Sequence, residues 1–201
     1  MVKRRTGRIK DALVQIYTGA GKGKTTAALG LAMRAIGHGY RVRMIQFMKG
    51  TTYTGELRAA ERLGPGLEIY QFGRDCQYSE EMAAGTAQCT GCGDCFVRRG
   101  EVTQADIELA AEAYVLALRT LKRVEADIVI LDEISNALEY ELLSVGDVVK
   151  LVGERPPGVE LVLTGRNMPP ELIQVADLVT EMHMVKHPFE KGIPARRGIE
   201  Y

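Results

Sequence analysis

The segment Thr18-Gly19-Ala20-Gly21-Lys22-Gly23-Lys24-Thr25-Thr26 carries the groups that hold a nucleoside triphosphate. It lies between an apolar run ending at Tyr17 and a helical pattern over 27–36. A strand, a glycine-rich turn and a helix start aim backbone N–H groups at a phosphate, and the helix dipole adds partial positive charge. Gly19, Ala20, Gly21, Lys22, Gly23 and Thr26 form the cradle. Lys24 supplies a point charge, and the Thr25 hydroxyl is suited to ligate Mg²⁺. The spacing departs from the common G-x-x-x-x-G-K-[ST] pattern, because Thr18 stands where the first glycine belongs. A threonine holds that position if its φ is negative, with altered loop curvature.

Asp132-Glu133 offers the matching chemistry, since these two carboxylates end the apolar run Ile128-Val129-Ile130-Leu131. Either acid, at a strand end beside Thr25, can hold Mg²⁺ directly or through water. Arg166 follows the run Leu161-Val162-Leu163 in a polar turn. There it either clamps a phosphate bidentately or pairs at the surface. Arg34 lies nearly three helical turns beyond Lys24, too far along for the same phosphate. It is left to another ligand group, a partner chain or solvent. Cys89-x-x-Cys92-x-x-Cys95 and the earlier Cys76 account for all four cysteines. In a reducing compartment such clustering indicates metal rather than disulfides. Four thiolates suit a tetrahedral Zn²⁺ site, whereas three at x₂ spacing plus a remote one suit a [4Fe–4S] cluster. Gly91 and Gly93 would let the loop wrap closely around either. His38, His183 and His187 are scattered, and no Ser-His-Asp or Cys-His nucleophile is visible. An enzyme of this sequence therefore takes its nucleophile from a substrate.

These groups must be held by regular elements. Apolar strand runs at 13–17, 42–47, 67–72, 128–131, 161–164 and 178–182 alternate with helical stretches at 24–36, 55–63, 103–124, 145–152 and 170–175. In the longest, Ile107, Ala110, Ala111, Tyr114, Leu118 and Leu121 recur at three- and four-residue spacings and make one apolar face. The alternation predicts an α/β fold, a mostly parallel sheet with helices on both faces. Ligands bind such sheets at the carboxyl ends of the strands, where each polar motif falls. Residues 73–101 show no period and read as a Cys-rich loop excursion from a single domain over 1–201.

Lys plus Arg and Asp plus Glu number 26 each, so no bulk charge points to nucleic acid. No apolar run reaches membrane-spanning length and no secretory segment precedes the first strand, which sets the expectation of a cytoplasmic protein without a membrane partner. Residues 1–11 form a basic arm with Lys3, Arg4, Arg5, Arg8 and Lys10, either covering an anionic ligand or solvated.

Taken together, the motifs resemble the P-loop type of ATP:corrinoid adenosyltransferase. The resemblance rests on the stretch 18–30, on Gln46-Phe47-Met48-Lys49-Gly50, Leu131-Asp132-Glu133 and Leu163-Thr164-Gly165-Arg166-Asn167, and on the tail from Val185-Lys186-His187-Pro188-Phe189 to Gly198-Ile199-Glu200-Tyr201. Thr18 is typical of that family. The resemblance implies a RecA-like P-loop fold and a reaction in which the Co(I) of a reduced corrinoid attacks C5′ of ATP, releasing triphosphate. It implies that ATP lies reversed relative to other P-loop enzymes. By residue match, 21–26 cradle phosphates, Arg34 and Arg166 contact phosphate or nucleotide, and Glu133 is the metal carboxylate. A homodimer, an N-terminal arm able to cover a partner's site, and an electron donor that reduces cobalt also follow from it. Such a reaction needs no general base; proximity, leaving-group stabilisation and exclusion of water suffice.

The sequence departs from the family in one region. Members often carry Phe-x-Trp soon after Gln-Phe-Gly, pressing on the lower face of the corrin. Here Gln71-Phe72-Gly73-Arg74-Asp75 leads to Cys76 and Tyr78, and the chain has no Trp. Cys76 and Tyr78 are therefore expected at the corrinoid, and a metal centre on the cysteines is expected to order that loop. Two other functions share many of these motifs, an ATP-hydrolysing P-loop switch and a corrinoid-binding delivery protein.

Overall fold

Three of the six strands, at 42–47, 128–132 and 160–164, are buried along their whole length, which is why they read as apolar runs rather than alternating ones. The six are β1 Val14–Thr18, β2 Val42–Phe47, β3 Leu67–Phe72, β4 Ile128–Asp132, β5 Glu160–Thr164 and the exposed edge strand β6 Leu178–Glu181. A computed structural model describes residues 9–50, 54–87, 89, 92–193 and 195–200. Arm residues 1–8, Gly91 and Tyr201 lie outside the described residues. The strands pair in the order β3-β2-β4-β5-β1-β6, every pair parallel.

The helices are α1 Lys24–Gly37, α2 Gly55–Leu63, α3 Ser79–Ala84, α4 Gln104–Arg123, α5 Ile134–Glu139, α6 Val145–Gly153 and α7 Pro170–Val175. Connections that run toward β3 use α1 and α2. Those that return use α4 to α7. Right-handed crossovers then put the two sets on opposite faces. Two cores result. Ala28, Ala32 and Ala35 of α1 cover Met44, Ile130 and Val162, while Ala113, Ala117 and Leu121 of α4 join Ile16, Ile45, Val129, Leu131 and Leu163. The small residues of α1 let that helix lie close to the sheet, which fixes where its N-terminus meets the phosphate loop.

The expected strands and long helices are present, with ends shifted by one residue at several places. Two short helices were not legible. The α5 turn follows directly on the two acids that end β4. The α3 turn lies inside the aperiodic 73–101 segment, where Glu80 and Glu81 favour its N-terminus and Gly85, at φ 79°, ends it. Among the described residues no helix is long and apolar enough to cross a membrane.

The excursion is fastened at its root. Gly50, after β2, lies backbone to backbone on Arg74, so that a Cβ there would stand 2.0 Å from the Arg74 carbonyl oxygen. Arg74 forks onto Asp106 at 2.7 and 2.9 Å and donates to the Glu101 carbonyl at 2.7 Å. Asp106 also completes a capping box with Thr103 at the start of α4. The Arg74 hydrogen bond, then those from Thr103, hold the Asp106 carboxyl down at about 2, against the opposing effect of burial.

A depressed folded-state value means that the stabilisation is complete above the ordinary Asp range and is lost as pH falls from about 4 toward 2. Urea midpoints of the wild type should decline across that window. Asp106→Asn should cost about 1–3 kcal/mol at neutral pH and flatten this part of the profile. Gly50→Ala should cost at least about 1–3 kcal/mol, because backbone must move to admit the methyl group.

Candidate active site

Asp132, the last residue of β4, is fully buried and accepts four hydrogen bonds. Oδ1 takes the hydroxyls of Thr25 at 2.8 Å and Thr164 at 2.7 Å. Oδ2 takes Gln46 Nε2 at 3.0 Å and Lys49 Nζ at 2.9 Å. The donors come from the start of α1, the end of β5, and the end of β2 with the turn after it. Gln71 Nε2 on β3 donates to Gln46 Oε1 at 2.9 Å and extends the chain of bonds across the sheet. All four lone-pair positions of the carboxylate are thereby used. Asp132 orients Thr25 rather than presenting an open ligand position.

Glu133 is the carboxylate that lines the cavity. It sits at φ 59° as the residue before α5, with its backbone N–H donating to Thr164 Oγ1 at 3.0 Å. Its Oε2 accepts from Asn136 Nδ2 at 2.8 Å. Burial first, and the charge of Asp132 second, push the Glu133 carboxyl above the ordinary range; Lys49, Lys24 and Arg166 act against this. Met48 at φ 56° and Asn167 at φ 48° share the left-handed backbone, directly or shortly after β2 and β5. Three of the five non-glycine residues with this conformation among the described residues thus follow the carboxyl ends of neighbouring strands.

The phosphate loop has the geometry its composition predicts. Gly23 takes φ 118° immediately before α1, a conformation that side chains resist. The Gly21 N–H donates to the Met182 carbonyl at 2.7 Å, which binds the loop to the exit of β6. Lys24 is buried, with Nζ donating to the carbonyls of Gly19 at 2.8 Å and Gly21 at 3.0 Å. Burial lowers its ammonium pKa, against the attraction of Glu133 and Asp132. Burial also opposes the charge on Lys49, but the charge and hydrogen bond of Asp132, with help from Glu56 and Glu133, raise it on balance.

A cavity of about 1030 Å³ opens over the loop. Ala20, Gly21, Lys22, Gly23, Lys24, Thr25 and Thr26 line it, as do Glu133 and Arg166. Gly19 contributes through its carbonyl to Lys24 and is not on the wall. Three candidates lie elsewhere. Arg34 is exposed on α1, and Cys76 and Tyr78 stand in the excursion; none of them lines this cavity. Sequence reading overlooked Lys49, which lines the cavity and pairs with Asp132. Its signal was its place one turn beyond β2 within the quoted Gln46–Gly50 motif. Tail residues Met184, His187, Phe189, Ile199 and Glu200 form the opposite wall, and Glu200 pairs with Lys22 at 2.8 Å. Nothing in the composition of the tail announces that role.

The four cysteines are free. Cys76 and Cys95 are partly buried, Cys89 and Cys92 exposed. Burial raises the Cys95 thiol, followed by the charge of Cys76 and, more weakly, of Cys89 and Cys92. Among the described residues, no three His, Cys, Asp or Glu side chains are grouped to hold one metal ion.

The residues with this geometry lie inside a wider likeness. The profile of the ATP:corrinoid adenosyltransferase BtuR/CobO/CobP family matches residues 10–201. A corrinoid adenosyltransferase of Sinorhizobium sp. is 36% identical over 193 residues, covering 96% of this chain and 81% of its own length. The corrinoid adenosyltransferase of Escherichia coli K12 is 34% identical over 189 residues, 94% of this chain and 85% of its own. Among solved structures, the flagellar accessory protein FlaH from Methanocaldococcus jannaschii superposes with a TM-score of 0.52. It covers 89% of this chain and 74% of its own at 15% identity, a likeness of fold alone.

The two adjacent acids should separate on mutation. Asp132→Ala strands four donors and should cost about 3–5 kcal/mol in chemical denaturation. Glu133→Gln relieves a buried charge and keeps an acceptor for Asn136, so stability should stay within about 0.5 kcal/mol of wild type.

Proposed function

Because the chain belongs to the ATP:corrinoid adenosyltransferase family BtuR/CobO/CobP, we propose that the cavity over its phosphate loop is where the adenosyl group of ATP passes to a corrinoid. The enzyme is a transferase, its substrates are ATP and a corrinoid, and its product belongs to cobalamin biosynthesis. The observation that carries the assignment to this cavity is its wall. Lys22, Lys24, Lys49 and Arg166 face one space with the phosphate loop, and a triphosphate leaving group requires such a concentration of cations.

The loop amides of 22–26 bind the phosphates while that of Gly21 holds the loop to the exit of β6, Lys24 exchanges its carbonyl partners for phosphate oxygens, and Arg166 closes the charge from the β5 side. The tail wall, with Phe189, Met184 and Ile199, shields the ribose from water. With the phosphates held in the loop, C5′ is presented to the second substrate rather than the γ-phosphorus to water. The nucleophile is the reduced cobalt of the corrinoid, so no protein base removes a proton in the bond-forming step. Orientation and exclusion of water are the work left to these residues.

The site fits a Mg²⁺ ion. Thr25 Oγ1 and Glu133 offer one hydroxyl and one carboxylate, and Mg²⁺ characteristically takes one or two such groups together with phosphate oxygens and water. When bound, it would neutralise charge on the departing triphosphate. Asp132 aims the Thr25 hydroxyl, and Lys49 balances Asp132. The corrinoid must arrive reduced, which calls for a separate electron donor. A homodimer and a cytoplasmic location complete this reading; four free thiols are at ease in a reducing compartment.

The test is an anaerobic reaction of ATP with chemically reduced corrinoid, with products identified by chromatography. Adenosyl-corrinoid and triphosphate are expected, whereas ADP and phosphate alone would overturn the reading. Lys24→Ala and Glu133→Gln should each lower kcat/KM by about 100-fold or more.

A further inference from the structure

The excursion at 73–101 has little of its own to hold it together. Among its described residues only Met82 and Val97 are buried, and Phe96 is 65% exposed. A segment with so small a core needs another kind of cross-link. All four cysteines of the chain fall inside it. Its fold brings their neighbourhoods together: Gln77 Nε2, next to Cys76, donates to Asp94 Oδ2, next to Cys95, at 3.4 Å. Gly93 at φ 84° turns the chain between Cys92 and Cys95, and the Phe96 N–H closes that turn on the Gly93 carbonyl at 3.0 Å. Arg98 lies against the turn with Nη2 at 3.4 Å from the Cys92 carbonyl, a cation beside the thiols. Cys76, Cys89 and Cys92 all stand near enough for their charge to act on Cys95.

The spacing of these thiols along the chain favours one metal centre over another. One tetrahedral zinc with Zn–S bonds near 2.3 Å draws its sulfurs to within about 3.8 Å of each other. A cubane gives each thiolate an iron of its own at a separate corner, and so takes ligands that are neighbours without touching. The x₂ spacing of Cys89, Cys92 and Cys95, with a fourth thiolate from outside the run, is a pattern that supplies three corners locally and the last remotely.

We propose that Cys76, Cys89, Cys92 and Cys95 bind a [4Fe–4S] cluster that cross-links the excursion. The cluster stands apart from the nucleotide cavity, since none of its ligands lines that wall. It orders the segment between two fastenings, Arg74–Asp106 at one end and Arg99 on Glu139 of α5 at the other. Glu139 also accepts from Asn167 at 3.2 Å, beside Arg166, so the far fastening reaches the rim of the active site. The proposal is independent of adenosyl transfer.

The full chain, purified without oxygen or reconstituted with ferrous iron and sulfide, tests it directly. Broad visible absorption, bleached by dithionite, with about four iron and four acid-labile sulfide per chain is expected. Cys89→Ser and Cys92→Ser alter exposed side chains, so far-UV circular dichroism and ATP binding should be retained while the absorption and iron are lost. Trypsin should then cut within 73–101, which the loaded protein resists. One zinc per chain without sulfide would overturn the cluster in favour of a single-ion site. Absence of any metal after reconstitution, or iron retained in both serine variants, would overturn the site itself.

Discussion

A buried carboxylate at the end of β4, one of the two central strands, organises this protein. Asp132 has no contact with solvent, so its charge must be compensated from within, and the compensation comes from Thr25, Thr164, Gln46 and Lys49. A hydrogen-bond acceptor buried in this way is costly when its donors are removed, and its donors are costly when it is removed. The phosphate loop, the β2 turn and the β5 turn are therefore held in one register. Their relative positions are set by a network that is fully satisfied rather than by loop contacts with water.

That arrangement explains how two adjacent acids come to differ. Asp132 points into the sheet and is consumed by hydrogen bonds; Glu133, one residue later and at φ 59°, is turned out to the cavity. The left-handed backbone at Met48, Glu133 and Asn167 is unfavourable taken alone and is tolerated where each chain passes from a buried strand toward its following helix. Parallel strands place all these exits on one edge, and the tail returns to roof it. Lys22 pairs with Glu200, so the roof and the loop are in electrostatic contact.

The cysteine-bearing excursion is attached where the sheet can accept it. It leaves β3, an edge strand, and its root is clamped by Arg74, Asp106 and the capping box of α4. The clamp fixes where α4 begins, because Asp106 serves both the Arg74 fork and the capping box. The hydrogen bonds to Asp132 draw on no residue of the excursion.

Residue order alone determined the phosphate loop, the parallel α/β architecture and the two acids at the end of β4. These are local properties: periodicity over a dozen residues, glycines where a turn needs them, and charged groups at the ends of apolar runs. The α5 turn and α3 were hidden, since six residues give few periods and neither opens on a proline as the equally short α7 does. The division of labour between Asp132 and Glu133, the recruitment of Lys49, the exclusion of Arg34, Cys76 and Tyr78 from the cavity wall, and the use of the tail as a roof were decided only by tertiary structure. Each depends on groups distant along the chain, as with Thr25 and Asp132, 107 residues apart, or Lys22 and Glu200, 178 apart. No local pattern encodes which donor a buried carboxylate will meet; packing of the sheet makes that choice.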